Sequence, residues 1–212
     1  MKIPISGLII AQNEEKSIEK AILNIKLNVG EIIIIDGGST DNTVEICEKL
    51  GCKVFHREFD FNFSNQRNFG LSKCNEEWVL TLDADEWFSE DFFNILPALM
   101  MSDLSVVAAL HIFRISRFDG EVRGEDFQWR LVNKNRCTWE GKVHEGLIFK
   151  NGYKGVKIPK EFLMWHEHSM GKQLWSNTLY YNVNKGINVR PKDNEGMEYH
   201  DGVWVNVETR RD

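Results

Sequence analysis

Three acidic residues follow a short apolar run in the segment 78–86. The run predicts a buried strand, and buried strands do not normally end on unpaired carboxylates. Asp83 and Asp85, one residue apart at the carboxyl end of such a strand, can reach a single divalent cation and leave room for phosphate oxygens. The segment therefore predicts a nucleotide or nucleotide-sugar site, although Asp-x-Asp is common and could simply cap a loop or begin a helix.

A second candidate group is the pair of histidines in the segment 165–169. In a strand, alternate residues share one face, so the imidazoles of His166 and His168 could point to the same site. Metal binding is one interpretation of this pattern, and a buried structural histidine is the other.

Strand and helix patterns alternate in the first half of the chain. Apolar, β-rich segments lie at 5–11, 31–35, 52–55 and 77–82, and helical patterns lie at 17–27, 44–50 and 64–71, with Ser64 as a candidate cap. Continuous apolar strands separated by helices predict a mostly parallel sheet that is covered on both faces. Ligands of such sheets bind beyond the carboxyl ends of the strands, so Asn13, Asp36 and Asp83 are expected to converge on one crevice.

The second half has a mixed pattern, which predicts extra strands against the sheet edge and a surface for a second substrate. Helices are predicted at 92–100 and 172–188, and strands at 106–116, 127–132 and 147–149. The polar tail 191–212, with a strand-like segment at 203–205, is expected to be mobile. We predict one domain over 1–212, with a nucleotide-binding half at 1–100 and a second-substrate half at 101–190.

Composition excludes several classes of protein. With 42% hydrophobic and 27% charged residues, the 212-residue chain is typical of a globular protein that has a core. A net charge of −6 argues against a dedicated nucleic-acid binder. No stretch approaches the roughly 20 apolar residues of a transmembrane helix. The four cysteines lack metal-binding spacing, so we expect reduced thiols and a cytoplasmic location.

Four segments, taken in order, resemble the family 2 glycosyltransferases, and the last of them carries the family's DXD motif. They are 9–14, 35–43, 66–70 and 82–86. A further segment, 139–145, is similar to the small branch that includes lipopolysaccharide-core β-glucosyltransferases. The resemblance covers the first half of the chain best. It implies an α/β protein of the GT-A fold, in which helices flank a mostly parallel central sheet and a smaller mixed region receives the acceptor.

The resemblance also implies a set of residues for the nucleotide-sugar. The carboxylate of Asp36 would accept a hydrogen bond from the imide of uracil, and the guanidinium of Arg67 would contact the diphosphate or a uracil carbonyl. Without the family pattern, an aspartate in a turn and a surface arginine would be the simpler interpretations. The full set comprises Ala11, Gln12, Asn13, Glu14, Asp36, Gly38, Arg67, Asp83 and Ala84.

A Mn²⁺ or Mg²⁺ cofactor follows from the same resemblance. Asp85 would bind the cation directly, while Asp83 would help to hold the ribose or a metal-bound water. His168 is expected to complete the cation site, with His166 as the alternative. Glu86 is expected to orient these ligands.

The base that activates the acceptor is harder to assign from the sequence. Glu145, in the segment that is similar to the lipopolysaccharide branch, is our first choice. Asp126 is the alternative because the pair 125–126 copies the Glu-Asp pair of many other family members. Glu140 comes third. Each of these acids, taken alone, is typical of an ordinary surface position.

Together these features predict a transferase that moves a hexose, expected to be glucose, from a UDP-sugar to a hydroxyl group with inversion. The acceptor would be a glycan, a lipid-linked glycan or a protein, and no nucleic-acid partner is expected. One alternative is a nucleotide-sugar-binding module without turnover. Another is a sugar nucleotidyltransferase, although such enzymes generally need a Gly-rich basic loop where this chain has the acidic segment 11–15.

Overall fold

The structure, a computed structural model, describes residues 3–186, 197–200 and 203–206. The helices of this part are α1 (Ile18–Ile25), α2 (Thr43–Lys49), α3 (Phe63–Lys73), α4 (Glu90–Met101) and α5 (Met170–Asn184). Its strands are β1 (Ile5–Ala11), β2 (Glu31–Asp36), β3 (Lys53–His56), β4 (Trp78–Asp83), β5 (Glu86–Phe88), β6 (Val107–Phe118), β7 (Glu121–Asn133), β8 (Cys137–Glu140), β9 (Gly146–Phe149), β10 (Lys154–Lys157), β11 (Met164–His168), β12 (Met197–His200) and β13 (Val203–Asn206).

A nine-stranded, mostly parallel sheet organises the molecule. Its strand order is β3-β2-β1-β4-β7-β6-β11-β5, and β10 also pairs with β6. Strands β1 to β4 are parallel to one another, as the alternation of strands and helices predicts. Their carboxyl ends therefore meet at one edge of the sheet.

Both faces of this parallel part are buried, which explains its continuous apolar segments. In β2, Ile34 belongs to the apolar cluster that includes Ile18 and Ile22 of α1. Its neighbours Ile33 and Ile35 belong instead to a second cluster, which includes residues of α3. Side chains alternate between the faces of a strand, so a strand with helices on both sides needs apolar residues at every position.

The second half adds the mixed part of the sheet. β7 pairs antiparallel with β4 and β6, so the added strands join the edge of the parallel part as expected. β11 lies parallel to the end of β6, which brings a segment late in the chain back to the central strands. β8 and β9 form a separate antiparallel pair.

The predicted cap of α3 was wrong. Asn62, rather than Ser64, is the N-cap, and its side chain accepts a hydrogen bond from the backbone N–H of Asn65. The hydroxyl of Ser64 instead donates to the carbonyl oxygen of Gly141, 2.6 Å away. Tertiary contact with the loop that follows β8 therefore takes the hydroxyl that the sequence pattern assigned to the helix end.

The tail is described only in part. The strand-like segment 203–205 lies in β13, which pairs antiparallel with β12. The other residues of the tail 191–212 lie outside the described ones, so the mobility expected for this tail stays a prediction. The division into halves at 1–100 and 101–190 stays a prediction. None of the helices in the described residues is both long and apolar enough to cross a bilayer.

The close approach of α3 to the sheet gives a first testable prediction. A Cβ added to Gly70 would lie 2.5 Å from a methyl carbon of Leu8 and 3.0 Å from Cγ1 of Ile35, both of which are buried. Gly70→Ala should lower the free energy of unfolding by about 1–2 kcal/mol, since overpacking outweighs the gain in helix propensity. Urea unfolding measures this loss. The matched control is Gly124→Ala, whose added Cβ meets its nearest neighbour, Ser116, at 4.0 Å. Equal stability of both variants would contradict the prediction.

Candidate active site

A cavity of about 540 Å³ lies at the carboxyl ends of the parallel strands. Its wall combines the ends of β1 and β4, one side of α3, the segment before β9, the end of β11 and one face of α5. The sequence-predicted residues that line it are Ala11, Gln12, Glu14, Arg67, Asp83, Ala84, Asp85, Glu145, His166 and His168. The fold thus brings together most of the residues that the sequence singled out.

Two histidines of β11 face the carboxylate of Asp85. Nε2 of His166 lies 3.5 Å from Oδ1 of Asp85, and Nδ1 of His168 lies 3.2 Å from Oδ2. The remaining ring nitrogens are held by Ser116, 3.2 Å from His166, and by Gln173, 2.7 Å from His168. Partners of this kind orient imidazoles that bind metals.

The donor atoms of Asp85, His166 and His168 lie within 4.8 Å of one another, which fits a single cation. One carboxylate with two imidazoles suits Mn²⁺ better than Mg²⁺, because Mg²⁺ prefers oxygen ligands. Both histidines have the geometry of ligands, whereas the sequence left a choice between them. Asp83 lies outside this group, so its predicted contact with the cation stays a prediction.

The charge of Asp85 is stabilised from several sides. Burial opposes ionisation, but hydrogen bonds with His166 and His168 and the charge of Lys172 hold the pKa of Asp85 well below its ordinary value. Burial also raises the pKa of Glu14, and the negative charge of Asp85 adds to this rise, although Lys172 opposes it. In this part of the cavity, one ammonium group therefore stands between two carboxylates.

The carboxylate of Asp83 lies between two arginines. Nη2 of Arg67 is 2.8 Å from its Oδ1, and Nη2 of Arg130 is 3.0 Å from its Oδ2. Burial opposes ionisation, but these guanidinium groups outweigh it and hold the pKa of Asp83 well below its ordinary value. In this arrangement Asp83 positions two cationic side chains at the cavity.

The buried carboxylate of Glu86 holds Arg130 and the backbone of Asp83 in place. It is 0% exposed and accepts hydrogen bonds from Nε and Nη2 of Arg130, from Nη1 of Arg114 and from the backbone N–H of Asp83. A buried carboxylate needs such donors, because an unpaired charge in the interior is costly. Glu86 therefore fixes the turn between β4 and β5 that presents Asp85, in line with the orienting role expected for it.

Glu145 is the base candidate that lies at the cavity. Its Oε1 accepts a hydrogen bond from Nε of Arg67 at 2.6 Å. It ends a tight loop in which Gly141 has a φ of 106° and His144 a φ of 52°. The alternative, Asp126, is 44% exposed, pairs with Arg114 and does not line the cavity. Glu140 is exposed and likewise lies outside the cavity wall.

Asn13 and Asp36 turn toward the loop after β2 instead of lining the cavity, so the expected convergence with Asp83 was wrong for these two side chains. Oδ1 of Asn13 accepts from the N–H of Thr40 at 2.8 Å. The carboxylate of Asp36 accepts from the N–H groups of Gly38 and Ser39 at 3.1 and 3.0 Å. Short loops commonly satisfy their backbone in this way.

Further contacts hold the same loop. Nδ1 of His56 lies 3.0 Å from Asp36, and Nε2 of Gln12 donates to the carbonyl oxygen of Gly37 at 2.8 Å. Burial alone would raise the pKa of Asp36, but hydrogen bonds from Ser39, His56 and Gly38 lower it. Gly38 has a φ of +96°, which favours glycine. The predicted contact of Asp36 with uracil stays a prediction.

Arg130 and Lys172 are among the residues of the site that the sequence analysis missed. Arg130 is 2% exposed beside the apolar residues Leu131 and Val132 of β7. An arginine within an apolar strand segment is a usable signal, because it must have an acidic partner in the fold. Lys172 gives no such signal, because a lysine near the start of a helix is usually exposed. Its role depends on how α5 packs over the cavity.

Comparison with known proteins assigns the family. Residues 6–166 match glycosyl transferase family 2. An uncharacterized glycosyltransferase of Rickettsia typhi is 41% identical over 155 residues, which cover 68% of this chain and 53% of the relative. The chain belongs to glycosyl transferase family 2. This confirms the family that the sequence segments resemble.

A second relative is the lipopolysaccharide core biosynthesis glycosyltransferase LpsC of Rhizobium meliloti. It is 29% identical over 161 residues, which cover 69% of this chain and 58% of LpsC. The chain spans about half the length of the curated relatives it matches.

Solved structures confirm the predicted GT-A fold. TarS residues 1–349 of S. aureus superpose with a TM-score of 0.57 at 16% identity, over 88% of this chain and 64% of that one. Glucosyl-3-phosphoglycerate synthase from Mycobacterium tuberculosis gives a TM-score of 0.54 at 13% identity, over 95% and 84%. At these identities the likeness shows the fold alone.

The buried carboxylate beneath the site gives a second prediction. Glu86→Gln leaves Arg130 and Arg114 facing a neutral group in the interior, so the free energy of unfolding should fall by about 3–5 kcal/mol. Urea unfolding followed by circular dichroism measures the change. The control is Glu121→Gln, since Glu121 forms an exposed pair with Arg123 and should contribute less than about 1 kcal/mol. A loss no larger than that of the control would refute the role assigned to Glu86.

Proposed function

We propose that the chain is a metal-dependent glycosyltransferase that moves glucose from UDP-glucose to a hydroxyl group with inversion. The observation that carries this proposal is the gathering of Asp85, His166 and His168 at the wall of a cavity built from strand ends. Such a cavity is where ligands of parallel sheets bind. Its nitrogen and oxygen donors suit the cation that a diphosphate leaving group requires.

Similar proteins support the donor and the cation. The solved glucosyl-3-phosphoglycerate synthase contains Mn²⁺ and UDP-glucose, and LpsC is named for lipopolysaccharide core biosynthesis. For this chain we propose UDP-glucose as donor and Mn²⁺ as the preferred cation, with Mg²⁺ as a weaker substitute. The acceptor would be a glycan, a lipid-linked glycan or a protein. The cytoplasmic location stays a prediction.

Asp85, His166 and His168 would hold the cation, which when bound would neutralise the diphosphate and so favour departure of UDP. Arg67 lines the cavity through a guanidinium that Asp83 and Glu145 hold in place. Its fixed orientation suits a diphosphate oxygen or a uracil carbonyl. Gln12 and Asp36 would shape the loop against which the uracil ring of the donor rests. The small side chains of Ala11 and Ala84 would leave room for the nucleotide at the strand ends.

Glu145 is the base of this proposal. A carboxylate that lines the cavity can take the proton from an acceptor hydroxyl as that oxygen attacks the anomeric carbon from the side opposite UDP. The contact with Arg67 engages Oε1 and orients the carboxylate, so Oε2 is the oxygen that would take the proton of the hydroxyl. One displacement of this kind inverts the anomeric centre.

The binding module without turnover remains the second candidate. It is favoured by the pairing of Glu145 with Arg67 at 2.6 Å, which engages one oxygen of the candidate base. The sugar nucleotidyltransferase alternative has less support, because the chain matches a glycosyltransferase family and its first strand end carries Glu14 and Glu15.

Thermal unfolding in the presence of nucleotides tests the donor and the cation. UDP with Mn²⁺, each at about 100 times its dissociation constant, should raise the Tm by about 5–10 °C, and UDP alone should raise it less. Asp85→Asn should abolish the Mn²⁺-dependent part because it removes a ligand charge. Asp103→Asn, at an exposed loop position, is the control. Equal shifts with UDP and GDP, or no effect of Mn²⁺, would count against the proposal.

Turnover tests the base. Glu145→Gln should lower the rate of UDP release from UDP-glucose with Mn²⁺ by about 10²–10⁴-fold, the range of general base catalysis, while UDP still binds. Asp126→Asn serves as the matched control and should keep wild-type turnover, because Asp126 lies outside the cavity wall. UDP binding with no turnover in the wild type would support the binding module. A larger loss in Asp126→Asn than in Glu145→Gln would reverse the assignment.

A further inference from the structure

Lys172 lies on the face of α5 that lines the cavity. Its Nζ is 2.7 Å from each carboxylate oxygen of Glu14 and 2.8 Å from Oδ2 of Asp85. One ammonium group therefore bridges the end of β1 and the end of β4. Both carboxylates belong to the site that the proposed function assigns to the donor and its cation.

The oxygen that Lys172 contacts is one of those needed for the cation. Oδ2 of Asp85 also faces Nδ1 of His168 at 3.2 Å. A cation held by Asp85 and His168 would stand beside the ammonium, and like charges repel strongly where water is partly excluded. The two positive groups are therefore alternative partners of Asp85.

The two ends of α5 are anchored differently. Toward its carboxyl end, Leu179 and Val183 pack in an apolar cluster with Phe59. Near its amino end, the described contacts are polar: Lys172 binds the two acids, and Gln173 accepts from His168. The amino end of α5 can therefore exchange polar partners while its apolar end stays packed.

We propose that Lys172 competes with the divalent cation for Asp85 and, once displaced, becomes a positioning residue that contacts the diphosphate of the donor. This inference rests on the proposed metal-dependent function. Glu14 and Asp85 share one ammonium, so loss of that ammonium leaves two carboxylates for a cation. A diphosphate supplies the negative charge that holds the released ammonium. Lys172 would thus couple binding of the cation to binding of the nucleotide.

Mn²⁺ binding to the full chain, followed by the electron paramagnetic resonance signal of free Mn²⁺, tests the competition. Without nucleotide, Lys172→Met should bind Mn²⁺ about tenfold more tightly than the wild type, because the competing charge is gone. Lys172→Arg keeps the charge and should stay near the wild type. Lys185→Met removes an exposed lysine at the other end of α5 and should change nothing. Under saturating Mn²⁺, Lys172→Met should bind UDP about tenfold more weakly.

The outcomes distinguish failure of the role proposed for Lys172 from failure of the proposed metal site. Equal Mn²⁺ affinity in the wild type and Lys172→Met would overturn the competition, and unchanged UDP affinity would overturn the diphosphate contact. Absence of Mn²⁺ binding in every variant would instead overturn the proposed metal site, and this inference with it. Far-UV circular dichroism checks folding, and Lys172→Gln replaces Lys172→Met if the latter does not fold.

Discussion

The candidate site depends on the neutralisation of carboxylates that the fold places out of contact with water. Glu86 is fully buried, so its charge is stable only with the guanidinium groups of Arg130 and Arg114 beside it. From there, acids and arginines alternate across five elements of the chain. In order they are Glu145, Arg67, Asp83, Arg130, Glu86 and Arg114. Each member restrains the next, which gives the cavity a defined shape.

The parallel sheet decides which residues can take part. β1 and β4 are neighbours in the sheet. Glu14 and Asp85 therefore follow adjacent strand ends, although they are far apart in the sequence. The mixed strands then add what the parallel part lacks. β7 contributes Arg130 and β11 contributes the two histidines, both through pairing with β6. The two histidines and Arg130 thus come from the half of the chain with the weaker sequence resemblance.

The sequence predicted the parallel sheet well because two-sided burial leaves a local sign, a continuous apolar segment with polar residues at its end. The place of Asp85 after a strand end and the shared face of His166 and His168 are local properties too, whereas the grouping of these residues with Arg67 was implied by the family resemblance. The sequence did not predict the contacts of Asp36, Ser64 or Lys172. Each of these depends on a loop or helix that packs from elsewhere, so neither spacing nor composition carries the information.

The position of β11 in the sheet has a consequence for how the proposed cation site would form. Asp85 precedes His168 by 83 residues, and the two meet only when β11 has aligned with β6. During synthesis the acidic strand end emerges from the ribosome long before its imidazole partners. A nascent chain that has formed only β1 to β4 therefore holds the carboxylate of Asp85 without His166 and His168. A cation bound by Asp85, His166 and His168 would therefore require that the long-range pairing of β11 with β6 has formed.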